Sequence, residues 1–256
     1  MKTEAETTRT LVIVPTVDEA ANIEVLCRRV RAAAPWAHLL VVDGASTDAT
    51  REIVAAMAAE LGGIDLLEQG TRNGIGGAYR AGFEWGLSNG FEILVEMDAD
   101  LSHDPDDLPA LIGAAADGAR LAIGSRYVPG GSTPTWPRRR RLLSTAGNRY
   151  VNAMLGLGVS DATAGFRAYR ASTLREVRAD LSEANGYAFQ VEMAYLVART
   201  GGGIVELPVT FRDRTYGTSK MSGRIVSEAI LLVTRWAVRD RLLRRERPAP
   251  ALSGAR

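Results

Sequence analysis

Cysteine is nearly absent. Cys27 is the single one in 256 residues, so no internal disulfide and no thiolate metal cluster can form. Histidine is scarce as well, with two, which leaves no His/Cys cluster for zinc. No apolar run approaches the roughly 18 residues needed to span a bilayer, and the opening "MKTEAETTRT" has no apolar signal region. The chain is therefore expected to be soluble or peripheral, in a reduced, cytoplasmic compartment. There is no internal repeat. There is also no excess of one charge: the formal net charge of +1, with no recognition motif, argues against a nucleic-acid-binding module.

What is present is a rhythm. "TLVIVPT", "HLLVVDG", "IDLLEQ", "FEILVEMD" and "RLAIGSRY" read as strands, and "ANIEVLCRRVRAAA", "STDATREIVAAMAAELGG", "NGIGGAYRAGFEWGLSNG" and "PDDLPALIGAAADG" read as the helices between them. Near-continuous apolar strands alternating with helices predict an α/β fold, a mostly parallel sheet covered on both faces. After about residue 126 the rhythm changes. "VPGGSTPTWPRRRR" reads as a loop, "LLSTAGNRYVNAMLG" as a helix and "GIVELPVTF" as a strand. A long basic helix closes the chain. The expected organisation is a disordered 1–9, one catalytic domain over 10–223, a basic amphipathic helix over 224–247 and a disordered 248–256.

Ligands of open parallel sheets sit outside the carboxyl ends of the strands. Four polar pieces fall there: Pro15 to Glu19, Asp43 to Asp48, Asp98 to Asp100, and Gly124 to Arg126. Asp98 and Asp100, one residue apart in "EMDADLSHDP", share a face of extended backbone. Such hard oxygens suit magnesium or manganese completed by substrate phosphates. His103 reads as a hydrogen-bonding partner to them. Charge is also unevenly spread: residues 118–160 hold seven arginines and no acid, and residues 224–247 seven arginines against three acids. Both stretches suit phosphate or an anionic surface.

The ordered set "IVPTVDEAANI", "VVDGASTDAT", "RNGIGGAYRAGF", "EMDADLSHDP", "GSRYVPGG", "DATAGFRAYR", "GYAFQVEMAY" and "FRDRTYGTSKM" resembles the family-2 glycosyltransferases, and within them the polyprenol (dolichol) phosphate mannose synthases. The resemblance covers about residues 10–225. It implies a glycosyltransferase A-type (Rossmann-like) fold and inverting transfer of mannose from GDP-mannose to a polyprenyl phosphate, with Mg2+ or Mn2+. Carried over by residue, it implies that Pro15, Glu19, Asp43, Ser46 and Arg72 line the nucleotide. Asp98 and Asp100, with Ser102, would flank the diphosphate and metal. Arg126, Arg140 and Ser144 would hold the acceptor phosphate, and Arg214, Ser219 and Lys220 would close over the phosphates from the late loop. Asp100 and Arg126 would carry the catalysis. The chain departs from the family pattern at Gly44, where a second aspartate is usual, at Ser102, usually glutamine, and at Val17, usually aromatic.

Chemistry agrees with a phosphate acceptor. A lipid phosphate is anionic near neutral pH and needs no general base, only arginines to neutralise it beside a second anion. A sugar hydroxyl would need a carboxylate base, and Glu192 is given no such role. Glucosyl transfer, or a non-catalytic nucleotide-sugar-binding subunit, are the alternatives. A membrane surface is the expected partner, at the cytoplasmic face, and a membrane-embedded protein is a further candidate. Ile225, Ala229, Leu232, Val233 and Trp236 recur at helical spacing in the last helix, either to meet lipid or to pack on the domain.

Overall fold

The structure, a computed structural model, describes residues 3–182, 184, 186–213 and 230–240. It opens on α1 (Glu4–Thr7), a helical turn closed by a capping box between Thr3 and Glu6. The box satisfies two donors at the start of the turn, the Thr3 and Glu6 N–H groups, within the stretch expected to be disordered.

The alternating half follows as β1 (Thr10–Thr16), α2 (Ala20–Ala33), β2 (His38–Asp43), α3 (Thr50–Leu61), β3 (Ile64–Glu68), α4 (Gly74–Ser88), β4 (Ile93–Glu96), α5 (Leu108–Ala116) and β5 (Leu121–Ser125). Then come α6 (Arg138–Leu155), β6 (Arg167–Arg170), α7 (Ala171–Glu176), α8 (Tyr187–Arg199) and β7 (Ile204–Pro208). Residues 230–240 are helical.

The strands form one seven-stranded sheet in the order β3-β2-β1-β4-β6-β5-β7. All neighbours are parallel except β6, which runs against both β4 and β5. Its four residues, "RAYR", carry too little pattern to be read as a strand. Alternate strand residues face opposite layers. Leu11, Ile13, Leu40, Val42 and Leu94 pack under α4 and α8, against Tyr79, Phe83 and Phe189. Val12, Val14, Leu39, Val41 and Val95 pack against Ile23 and Leu26 of α2 and Leu111 and Ile112 of α5. Cys27 lies in this second layer, and burial pushes its thiol up to about 12, so it is a packing residue. On the first layer, a Cβ on Gly82 would stand 2.5 Å from Ile13 Cγ2, and one on Gly86 2.6 Å from Leu94 Cδ2. These two glycines, one turn apart, let α4 lie against the sheet.

Two readings of the second half change. "RRRR" is not the end of a loop: Arg138 to Arg141 form the first turn of α6. In the last helix, Val233 and Trp236 are buried, Trp236 stacking on Tyr195 at 5.7 Å. The apolar stripe therefore packs on the domain. Ile225 and Ala229, like residues 241–256, lie outside the described residues.

Candidate functional site

The carboxyl ends of β1, β2, β4 and β5 meet at one edge of the sheet, as the parallel registers require. Pro15 fits there because β1 outruns β4, whose last partner is Ile13, so no ladder donor is lost on that side. Three of the four described non-glycine residues with left-handed backbone lie in these loops: Asp18 (φ 56°), Ala45 (φ 62°) and Leu101 (φ 61°). Such conformations cost about 1–3 kcal/mol each and collect where side chains must be aimed.

The loops after β1 and β2 are welded by carboxylates. Asp43, 1% exposed, accepts from the Thr16 hydroxyl at 3.1 Å, from the Ser46 N–H at 2.9 Å and from the Ser46 hydroxyl. Ser46 Oγ in turn accepts from the Asp18 N–H at 2.9 Å. Asp18 takes the Thr47 N–H at 2.7 Å and Arg72 at 2.9 Å, and those donors hold its carboxyl below the usual range. Glu19 accepts from Asn22 at 2.8 Å. The residues expected on the nucleotide thus come together, but Asp43 and Ser46 shape the cradle through each other. Asp18, which the sequence reading left without a role, links Arg72 to it. Two of the departures are one event in space: a Cβ on Gly44 would lie 2.9 Å from Val17 Cγ2. In this chain the Val17 side chain borders the space a side chain at position 44 would enter.

Beyond β4, Leu101 turns the chain so that the Asp100 carboxylate accepts from the Ser102 N–H at 3.0 Å. Asp98 stays partly exposed, its Oδ1 3.5 Å from the Tyr79 hydroxyl. His103 is no ligand. Its Nδ1 accepts from the Asp98 N–H at 3.2 Å, its ring stacks on Phe166 at 5.1 Å, and burial pushes it down to about 4, keeping it neutral. Among the described residues no group of three His, Cys, Asp or Glu side chains can hold a metal. Two carboxylates one residue apart fit a hard divalent cation whose remaining positions go to phosphate and water. Ser102 is buried, and its carbonyl accepts from the Arg212 N–H at 3.1 Å. That bond ties the segment 209–213, which leads into the late loop, to the aspartate pair. Arg214, Ser219 and Lys220 themselves lie outside the described residues.

Glu96, at the end of β4, is fully buried, with Arg167 and Gln190 beside its carboxyl. Burial pushes it up to about 8, opposed by the nearby Arg167, so it is protonated at neutral pH. Being raised in the fold, it contributes stability that is complete below about pH 4.5 and lost as pH rises through 8. Glu96→Gln is expected to leave thermal stability at pH 5 nearly unchanged and to raise it at pH 9 by roughly 2–4 kcal/mol, read by melting curves at the two pH values.

The arginine stretch after β5 is acid-free only in sequence. Arg126 is buried and held by Asp161, which is 0% exposed, through Nε–Oδ2 at 2.7 Å and Nη2–Oδ1 at 2.6 Å. Asp161 Oδ2 also takes the Arg126 N–H at 3.0 Å, and Nη2 reaches Thr163 at 2.9 Å. Trp136, Tyr127 and Phe211 stand 5.2–5.5 Å around the guanidinium. In the structure the fork of Arg126, the residue expected on an acceptor phosphate and in catalysis, grips a carboxylate. Asp161, in "DATAGFRAYR", was not singled out in the sequence. Arg140 is different. It lies 4.0 Å from the Trp136 ring and pairs with Asp213 at 2.7 Å, both partners about one-third exposed. Ser144 lies one turn further along α6, half-buried. Glu192 accepts from the Ala184 N–H at 3.0 Å.

The family model for glycosyl transferase family 2 matches residues 11–178. An undecaprenyl-phosphate mannosyltransferase of Micrococcus luteus is 49% identical over 91% of this chain and 96% of its own. A polyprenol monophosphomannose synthase of Mycolicibacterium smegmatis is 44% identical over 92% and 89%. A crystal structure of glucosyl-3-phosphoglycerate synthase from Mycobacterium tuberculosis, with Mn2+ and UDP, superposes with a TM-score of 0.64 at 18% identity, covering 96% of this chain and 83% of that one. The expected glycosyltransferase A-type architecture is therefore the observed one. With the strand-end loops, the aspartate pair and these likenesses in agreement, the chain belongs to glycosyl transferase family 2.

Proposed function

We propose that this transferase moves mannose from GDP-mannose, with inversion, to the phosphate of a polyprenyl monophosphate at the cytoplasmic face of a membrane. The relatives' names supply the substrate class. The observation that carries the reading is the start of α6. Arg138 to Arg141 place four positive charges at the positive end of a helix dipole, with no acid in its first turn. That order is unfavourable by itself and favourable once an anion sits there.

In this reading the loops after β1 and β2 hold the nucleoside, with Pro15, Glu19 and Arg72 at their rim. Asp98 and Asp100 hold Mg2+ or Mn2+ on the diphosphate, with Ser102 as a third contact. A bound divalent cation would neutralise the charge that grows on the departing diphosphate. Arg140 and Ser144 receive the acceptor phosphate. The Arg140–Asp213 pair is partly exposed and worth about 0–1 kcal/mol, so a dianionic phosphate can displace the carboxylate. Arg126, neutralised by Asp161, anchors the turn after β5 beneath them. Arg214, Ser219 and Lys220 close over the phosphates. No base is needed, since the nucleophile is already an anion.

The test is a transfer assay with radiolabelled GDP-mannose, GDP-glucose and UDP-glucose on polyprenyl phosphate, with metal and with chelator. Mannosyl lipid is expected from GDP-mannose alone, and only with metal. Arg140→Ala is expected to raise KM for the lipid about tenfold or more, the loss of one charge-assisted phosphate contact, with GDP-mannose affinity unchanged. Efficient glucosyl transfer, or a donor defect in Arg140→Ala, would overturn the reading.

A further inference from the structure

The two sides of the proposed reaction stand on different parts of the fold. Asp98 and Asp100 follow β4, while Arg140 and Ser144 are on α6. Transfer needs the reacting atoms of donor and acceptor held about 3–3.5 Å apart and in line, so one part has to be fixed against the other. Residues 209–213, which follow β7, run between them. Their backbone bonds to both sides. Toward α6, Ser132 donates its N–H to the Val209 carbonyl at 3.0 Å and accepts from the Phe211 N–H at 2.9 Å. The Asp213 N–H reaches the Thr135 hydroxyl at 3.1 Å. Toward the aspartates, the Arg212 N–H reaches the Ser102 carbonyl at 3.1 Å. The N–H groups of Phe211, Arg212 and Asp213 thus bond to alternate sides.

The Phe211 ring spans the same gap. It meets the His103 ring edge to face, with 5.5 Å between centroids and 70° between planes, and the Trp136 ring likewise at 5.5 Å and 75°. Such geometry is favoured because a ring's edge is positive and its face negative. On the far side of His103 the row continues into Phe166, stacked at 5.1 Å, and the His103 Nδ1 accepts from the Asp98 N–H at 3.2 Å. His103 and Phe166 are both buried. On the far side of Trp136, the Arg140 guanidinium lies 4.0 Å from the indole centroid. One row of ring contacts therefore leads from the backbone of Asp98 to the guanidinium of Arg140, and Phe211 is the member that joins its halves.

We propose that Phe211 is a positioning residue for transfer: by bridging His103 and Trp136 it fixes Arg140, and the acceptor phosphate on it, against the aspartate pair that holds the donor diphosphate. The inference rests on the proposed function for what Arg140 and the aspartates hold. Phe211 acts through the two rings and takes no part in bond making. A flat ring suits the task, because it reaches both neighbours and has only two side-chain torsions to fix. The consequence is a split between rate and affinity. A guanidinium displaced slightly still attracts a phosphate, since charge attraction falls off slowly with distance. The attack itself is less tolerant, a misplacement of about 1 Å costing roughly a hundredfold in rate.

The test uses the full chain, GDP-mannose with Mg2+ and a short, water-soluble prenyl phosphate. Phe211→Ala is expected to lower kcat about a hundredfold while KM for donor and acceptor each change by less than about threefold. Phe211→Tyr, which keeps the ring, should recover most of kcat. Phe211→Leu, which restores volume without a ring, should recover melting temperature more than kcat. An undiminished kcat in Phe211→Ala overturns the proposal. Equal recovery by Leu and Tyr also overturns it, by making the position a matter of packing alone, and so does a raised acceptor KM with kcat unchanged, by making Phe211 part of the acceptor site. A second readout needs no turnover. Filling the aspartate side with Mg2+ and GDP or UDP is expected to shift the fluorescence of Trp136, assigned by its loss in Trp136→Phe. That shift should vanish in Phe211→Ala although calorimetry shows the nucleotide still bound. No shift in the unaltered protein, or one that persists in Phe211→Ala, overturns the proposal. If the unaltered protein gives the shift, Phe211→Ala loses it, and no mannose is transferred, the proposed function fails and the positioning role stands.

Discussion

Asp100→Ala is expected to abolish transfer, lowering kcat by roughly a thousandfold, the scale set by removing one preorganised contact to developing charge. The hydrogen bond that Asp100 accepts from the Ser102 N–H is worth about 1 kcal/mol of stability, far less than the expected loss of rate. The variant separates roles, because Asp98 and the proposed nucleoside cradle around Asp18, Asp43 and Ser46 remain. Calorimetry should therefore show weak GDP binding that no longer strengthens when Mg2+ or Mn2+ is added. Asp100→Asn should behave the same way, since a neutral amide is a poor ligand for a hard cation. Metal-dependent GDP binding equal to that of the unaltered protein would remove Asp100 from the metal site.

Asp161→Ala should damage the protein through stability. Its partner Arg126 is buried, and removing one member of a buried pair strands the other's charge, at a cost of about 3–5 kcal/mol or roughly 10 °C in melting temperature. Burial alone would raise the Asp161 carboxyl; the Arg126 guanidinium and N–H overcome this and hold it below the usual range. A carboxyl lowered in the fold contributes stability that is present above about pH 4 and lost as pH falls through its folded value. The gap between Asp161→Ala and the unaltered protein should therefore be full at pH 7 and shrink at low pH. Replacing both partners, Asp161→Leu with Arg126→Met, should recover most of the loss. Melting curves of the single and double variants decide the matter: additive losses would mean that the pair is not a unit.

The sequence by itself determined the alternating half. β1 begins and ends where "TLVIVPT" does, because a strand buried on both faces must be apolar throughout and Pro15 marks its end. It also placed the aspartate pair and the loops after β1 and β2 at one edge, since parallel strands can only present their carboxyl ends together. Local chemistry was enough for these, and "EMDADLSHDP" was correctly read as an aspartate pair with His103 as its hydrogen-bonding support.

Tertiary structure decided the charges. An acid-free stretch of chain suggested open arginines, but Asp161 reaches Arg126 from 35 residues away and Asp213 reaches Arg140 from 73. Which carboxylate meets which guanidinium depends on loops crossing over β6, a reversed four-residue strand with no periodicity of its own. The same holds for the last helix. Helical spacing shows that a stripe exists, and only the neighbouring α8, with Tyr195 waiting for Trp236, shows that the stripe is core and that the arginine-bearing face beside it is the one left outward.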